Sequence, residues 1–303
     1  MKKLFTLILV CGSFSLFAQH AAFMKTTHTK LPPRKKTFPN SMWYGRVGIG
    51  YAFTQGGQTM SAYGTPYNGS LHYVNNNNGS TATLTDFEVK KVSFNTGVHA
   101  VVAAGYMFDS HVGFELAGQF NIAPFSYTSN SYNYLSSGYN ANINILSKAK
   151  SPIMLIPSFI LQSGEQGFNL YTRVGLVLPV NTKVERTYRF DYLAGGPNGI
   201  NNKEYTLEES SKFTVGYTGA LGFSYKVDKI KLWAEVNVMS LSVELKEQKV
   251  TAFANDGRPV PLQYVTPGTV NYVQSGTYNA NTEPTYSIPF SYIGAMIGIS
   301  FKI

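Results

Sequence analysis

Few side chains in this 303-residue sequence are equipped for catalysis. Its five histidines are His20, His28, His72, His99 and His111, and its one cysteine is Cys11. Hydrolytic chemistry needs a nucleophile or water activated by a histidine that an acid orients, and none of the five has such companions at a useful spacing. His99 stands alone in an apolar stretch, with no second His, Cys or carboxylate beside it, so a hydrogen-bonded structural role is expected rather than a metal or a proton relay. No cofactor or metal site is expected, and the chain reads as non-catalytic. More telling are four isolated charges, Arg46, Glu115, Arg173 and Glu235, each embedded in apolar and small residues. Brought to one level inside a closed wall, they would form either an ion path or a structural ion-pair network that plugs the interior. The network is the expectation, because unpaired charges there would be strongly destabilising.

The elements that must position these charges show a two-residue period. In "WYGRVGIGYAFT" the odd positions Trp43, Val47, Ile49, Tyr51 and Phe53 are bulky, whereas Arg46, Gly48, Gly50 and Ala52 oppose them. The pattern returns in "TGVHAVVAAGYMF", "VGFELAGQFNI", "FNLYTRVGLVLPV", "FTVGYTGALGFSYKV", "IKLWAEVNV" and "YIGAMIGISFKI". Only "SPIMLIPSFIL", residues 151–161, is apolar on both faces, and its register stays open. Across the alternating segments the bulky face carries no Asp, Glu, Lys or Arg, while the small face holds Arg46, Glu115, Arg173, Lys226, Lys231, Glu235 and Lys302. A soluble barrel buries bulk and wets the small face; Trp43, Phe53, Phe108, Phe120, Phe223 and Phe301 would overfill such an interior. A transmembrane barrel does the reverse, and a Lys or Arg on its lipid face costs about 2–4 kcal/mol near the midplane.

The connections alternate in length. Short turns are expected at residues 109–111, 163–167 and 227–229, and long loops at about 55–91, 128–146, 190–210 and 248–286. An even strand count with both termini on the short-turn side follows, which predicts an all-β, eight-stranded antiparallel up-and-down transmembrane barrel over residues 43–303 with long extracellular loops. Each segment reaches the roughly 9–11 residues that a tilted strand needs to cross. Trp43, Tyr106, Phe108, Phe114, Phe168, Tyr225 and Phe301 are placed to form an aromatic girdle at the short-turn end.

The N-terminus carries a separate signal. Residues 1–18 combine Lys2 and Lys3 with a short apolar core and Ala18, a cleaved secretory leader that removes Cys11 with it. The formal net charge of +9 falls to +7 once those two lysines are lost. An exported basic chain suits an anionic membrane surface better than nucleic acid. Residues 19–42 are basic, proline-bearing and without period, and are expected to be a flexible periplasmic tail.

Leader, eight alternating strands, turn parity and an aromatic-rich last strand together resemble the small eight-stranded outer-membrane barrels of Gram-negative bacteria, the outer-membrane protein A and outer-membrane protein W type. The resemblance is architectural. The family's last residue is often Phe, whereas Ile303 ends this sequence and Phe301 stands two before it. It implies an outer-membrane location with both termini periplasmic, and it leaves two roles: a plugged, porin-like but non-conducting barrel serving envelope structure or surface interaction, or a conduit for small, hydrophobic molecules. The prolines of the doubly apolar strand, Pro152 and Pro157, would mark a lateral opening in the second case.

Beyond the strands lie charged ribbons whose cations, Lys90, Lys91, Lys183, Arg186, Arg189, Lys212 and Lys246, would ring the outer-leaflet headgroups and meet lipopolysaccharide phosphates through charge-assisted hydrogen bonds. Solvated hairpin extensions are the plainer reading. The loops, as in "SYTSNSYNYLSSGYN", mix Tyr and Asn as ligand-contact surfaces do, so an extracellular ligand and an inert polar surface both stand.

Overall fold

The computed structural model describes residues 43–55, 71–75, 82–87, 92–134, 140–164, 167–193, 196–264, 269–274 and 282–303. Its strands begin with β1 (Trp43–Thr54), β2 (Leu71–Asn75), β3 (Ala82–Phe87), β4 (Gly97–Met107), β5 (Val112–Pro124), β6 (Ser126–Tyr134) and β7 (Asn140–Ala149). β8 (Ile153–Gln162), β9 (Phe168–Asn181), β10 (Val184–Tyr192), β11 (Asn202–Ser211), β12 (Gly216–Val227) and β13 (Ile230–Ser240) follow. The last are β14 (Ser242–Asn255), β15 (Arg258–Pro259), β16 (Thr269–Val273), β17 (Thr282–Pro284), β18 (Ser287–Pro289) and β19 (Tyr292–Lys302).

Eight of these close into a barrel in the order β1, β19, β13, β12, β9, β8, β5, β4. Every neighbour pair is antiparallel, and β1 against β19 closes the ring from Tyr44↔Lys302 to Thr54↔Tyr292. Closure pairs the backbone donors and acceptors of both would-be edges. The expected inside-out dressing is present: Phe213, Tyr217, Leu221 and Ile297 are among the most exposed apolar side chains, while Arg46, Glu115, Arg173 and Glu235 are buried. β8 settles its register with Leu155, Phe159 and Leu161 outward and Met154, Ile156, Ser158 and Ile160 buried inside. One wall of the interior is therefore apolar.

Short turns join barrel strands at one end. In one of them the Asp109 carboxylate accepts the backbone N–H groups of His111 at 2.6 Å and Val112 at 2.8 Å, and these hold its pKa below the usual carboxylate range. At the other end the long connections are largely strands where they are described, which corrects the expectation of loops at about 55–91, 128–146, 190–210 and 248–286. They form a second sheet in the order β17, β16, β14, β11, β10, β7, β6, β2, β3, with β15 and β18 also on β14. The reason lies in "ANINILSKA": Ala141, Ile143, Ile145 and Ala149 are buried on one face of β7, whereas Asn142, Leu146 and Lys148 lie on the other. Alternation of the water-facing kind, apolar in and polar out, makes a strand as surely as the membrane-facing kind.

Candidate functional site

The barrel interior is stacked in layers, each set by which inward positions of the wall fall at one height. Nearest the short turns, Arg46 of β1, Glu115 of β5, Arg173 of β9 and Glu235 of β13 meet. Arg46 Nη2 lies 2.5 Å from Glu235 Oε2, and Arg173 Nη2 lies 2.5 Å from Glu235 Oε1. Glu115 Oε1 takes Arg173 Nη1 at 3.2 Å and Arg46 Nη1 at 3.5 Å. Each carboxylate thus bridges both guanidiniums. The Tyr44 hydroxyl donates to Glu115 Oε2 at 3.1 Å, and the Tyr171 hydroxyl donates to Glu235 Oε2 at 2.9 Å. Charge and hydrogen-bonding capacity on the carboxylates are both satisfied, as burial demands.

Trp233 completes this layer, with the Arg46 Cζ 3.7 Å from its ring centroid, a cation–π arrangement. The indole fits because Gly48 and Gly298 face it across the wall. A Cβ at Gly48 would stand 2.3 Å from the Trp233 ring and 2.7 Å from the Ile297 carbonyl oxygen. At Gly105 a Cβ would meet the Tyr44 ring at 2.2 Å. Glycine on the inner face is the slot that each large inward aromatic occupies.

A neutral polar layer comes next. His99 Nε2–H donates to the Asn95 carbonyl at 2.8 Å, so Nδ1 accepts from Gln119 Nε2 at 2.7 Å. Gln119 Oε1 accepts from the Tyr292 hydroxyl at 2.9 Å, and the Tyr292 ring meets His99 edge-on at 5.0 Å. Both ring nitrogens of His99 are engaged, which leaves no lone pair for a metal. Among the described residues no cluster of three His, Cys, Asp or Glu side chains could hold one.

Beyond this layer the second-sheet end is filled by apolar side chains from two short segments. Residues 92–96 are all buried, as are Ile288 and Phe290. The Phe94 N–H donates to the Pro289 carbonyl at 2.9 Å, and the Phe94 ring sits 6.1 Å from Phe290 and 5.8 Å from Tyr127. The sequence reading missed this stopper. Its signal was Val92 and Phe94 alternating with Ser93 and Asn95 just ahead of Gly97, whose φ of +131° turns the chain into β4.

The cations expected to ring a membrane surface divide. Lys90 and Lys91 lie outside the described residues. Arg186 does not face outward: it is 3% exposed and lies 2.9 Å from Glu209 Oε2 on the buried face of the second sheet. The two-residue period moves it there, because Val184, Arg186 and Phe190 share the buried side of β10. Arg189 and Lys246 are exposed, and Arg189 Nε pairs with Asp191 at 3.0 Å. Lys183 shares Glu208 with Lys150, at 2.6 Å and 3.0 Å, and Lys212 reaches Glu244 at 3.3 Å. Hydrogen bonds from Lys183 and Lys150 hold the Glu208 pKa below its ordinary value. Of the described outward cations of the expected belt, Lys183, Arg189 and Lys212 are each paired with a carboxylate.

Below the ion network a cavity of about 390 Å³ opens toward the short turns. Tyr44, Tyr171 and Trp233 supply aromatic wall, and Lys226, Lys229, Lys231 and Lys302 line its outer part together with Asp228.

No family model and no curated protein matches the chain. A crystal structure of the outer membrane protein OprG from Pseudomonas aeruginosa is similar at 12% identity and a TM-score of 0.39, covering 87% of this chain and 96% of that one. At that level no residue of OprG can be carried over to this chain.

Proposed function

We propose that this chain is an outer-membrane protein of a Gram-negative bacterium, a non-catalytic barrel with a closed lumen that serves envelope structure or surface interaction through its second sheet. The leader at residues 1–18, the periplasmic tail at 19–42 and periplasmic placement of both termini belong to the same reading. The carrying observation is the exchange of dressing around one closed wall: exposed bulk on the outside, buried and mutually engaged charges within. Hydrocarbon is the solvent that this exterior suits, and it tolerates no unpaired backbone, which the closed ladder satisfies.

The ion network, the His99 layer and the Phe94–Phe290 stopper support a non-conducting lumen. Purified protein in planar bilayers is expected to give no steady conductance, and a stable, sizeable open channel would overturn the plug. One feature favours the conduit as second reading. The ladder between β8 and β9 has a register shift at Ile153/Met154 and no pairing at residues 156–157, where Pro157 has no N–H to give. Uptake of small hydrophobic solutes by liposomes carrying the protein would decide for it. Lipopolysaccharide contact reduces to Lys183, Arg189, Lys212 and Lys246 among the described cations. Neutralising these four is expected to lower lipopolysaccharide retention on purification, and unchanged retention would remove that partner.

A further inference from the structure

The cavity at the short-turn end abuts the buried ion network. Buried Arg46, Glu115 and Trp233 form its floor, and the space continues outward past Lys226, Lys229, Lys231 and Lys302. Three properties of its lining point the same way. First, the buried side-chain atoms of the lining that lack a partner are both donors. The buried orphan atoms among the lining residues are Arg46 Nε and Trp233 Nε1, both N–H donors, whereas the carboxylates of Glu115 and Glu235 are fully engaged.

Secondly, the charge left over is positive. The two arginines are matched by the two glutamates, and the outer part of the cavity adds Lys226 and Lys229 against Asp228. Among the described residues the ammonium groups of Lys226 and Lys229 have no carboxylate partner. They come from one hairpin, β12 to β13, so the positive charge is concentrated on one side of the mouth. Low-dielectric walls around such a group focus its field. Thirdly, the rest of the inner lining is aromatic and apolar, with Tyr44, Tyr171, Met107 and Ile160. A few placed charges on a largely apolar concave wall is the usual make-up of a small-molecule site.

We infer that this mouth is a binding site for small aromatic carboxylates, with the carboxylate at Lys226 and Lys229 and the ring against the aromatic wall below them. A cation is disfavoured by the lysines and by the absence of any free acceptor at the floor, and a neutral analogue loses the charge-assisted contact that fixes the head. The site does not depend on whether the lumen conducts.

The test is calorimetric titration of the folded full-length mature protein in phosphatidylcholine nanodiscs, against empty discs, with three probes of one shape: 3-phenylpropionate, 3-phenylpropanol and 3-phenylpropylamine. Saturable binding of the carboxylate is expected, with the alcohol at least about tenfold weaker and no saturable binding of the amine. Trp233 stands at the floor of the cavity, so the carboxylate should also shift tryptophan emission. The combined Lys226→Gln and Lys229→Gln change is expected to weaken carboxylate binding at least about tenfold without altering the mobility difference between boiled and unboiled protein. If that double variant does not fold, each single change together with a salt titration gives the same decision, since screening must weaken a charge-held head. Absence of saturable carboxylate binding, amine binding as tight as that of the carboxylate, or wild-type affinity in the lysine variants would each overturn the site.

Discussion

The barrel wall and the second sheet are joined end to end, β9 to β10 and β13 to β14, but wear opposite dressings. Along β13, Leu232 and Val236 are exposed on the outside while Trp233, Glu235 and Asn237 are buried. One residue further, Leu241, Val243 and Leu245 are buried and Ser242, Glu244 and Lys246 face out. The same inversion separates β9, with Val174, Leu176 and Val180 exposed, from β10, with Val184 and Phe190 buried. Nothing in the backbone demands this, since the period is two throughout. What changes is the solvent on the outer face, and the level of Leu241 and Thr182 marks the boundary. Ion pairs divide largely along the same line: buried and bridged in the barrel, mostly solvent-exposed on the second sheet, where Arg186–Glu209 is the buried exception.

The comparison can be broken in four ways, the most damaging first. Gly48→Leu drives a side chain into Trp233 and the Ile297 carbonyl, so loss of the folded, heat-modifiable form on gels is expected. The control is Gly257→Ala, in open space on the second sheet with φ +73°, whose strain is only local. Next, Glu235→Ala leaves two guanidiniums buried with Glu115 alone, at a cost of about 3–5 kcal/mol, read from the denaturant midpoint in lipid. The matching change in the exposed pairs, Glu208→Gln, should cost about 0–1 kcal/mol. Equal effects would mean that the lumen network is as well hydrated as the surface.

A lysine at Leu221, 69% exposed on β12, should cost about 2–4 kcal/mol in a bilayer. Lys249→Leu on the outer face of the second sheet should change stability by no more than about 0.5 kcal/mol. The smallest effect is in pH. Because the folded-state pKa of Glu208 is lowered, its pairing with Lys183 and Lys150 contributes above the unfolded pKa and is lost as pH falls through the folded value. Acid titration of second-sheet hydrogen exchange should show this loss, and Glu208→Gln should flatten it.

The sequence carried the barrel well, for a physical reason. Charge is so costly on a lipid-facing surface that the exclusion of Asp, Glu, Lys and Arg from one face marks every spanning strand, and the ranges of β1, β9 and β13 differ from the expected ones by at most a few residues. The four lumen charges were legible because nothing else in those strands is ionisable on the inner face except toward the short-turn mouth. The second sheet was not legible by that criterion. Its strands "ANINILSKA" and "VERTYRF" look like polar loops when bulk on one face is the only test, and Arg186 can be placed only once the parity change around residues 182–183 is known. Lys183 was legible as a cation but not as one bound to Glu208, because that contact crosses from β11 to the start of β10. The stopper formed by Phe94 and Phe290 joins segments far apart in sequence, and no local pattern announces such a meeting.

The central claim is that the outer face of the barrel lies in hydrocarbon up to the boundary near Leu241 and in water beyond it. Spin labels at single cysteines replacing Leu221, Ile297, Lys246 and Lys249, in a chain lacking Cys11 and reconstituted in lipid vesicles, test it directly through collision with oxygen and with a water-soluble nickel complex. High oxygen and low nickel accessibility at 221 and 297, reversed at 246 and 249, is the predicted result. Strong nickel accessibility at 221 and 297 would contradict it.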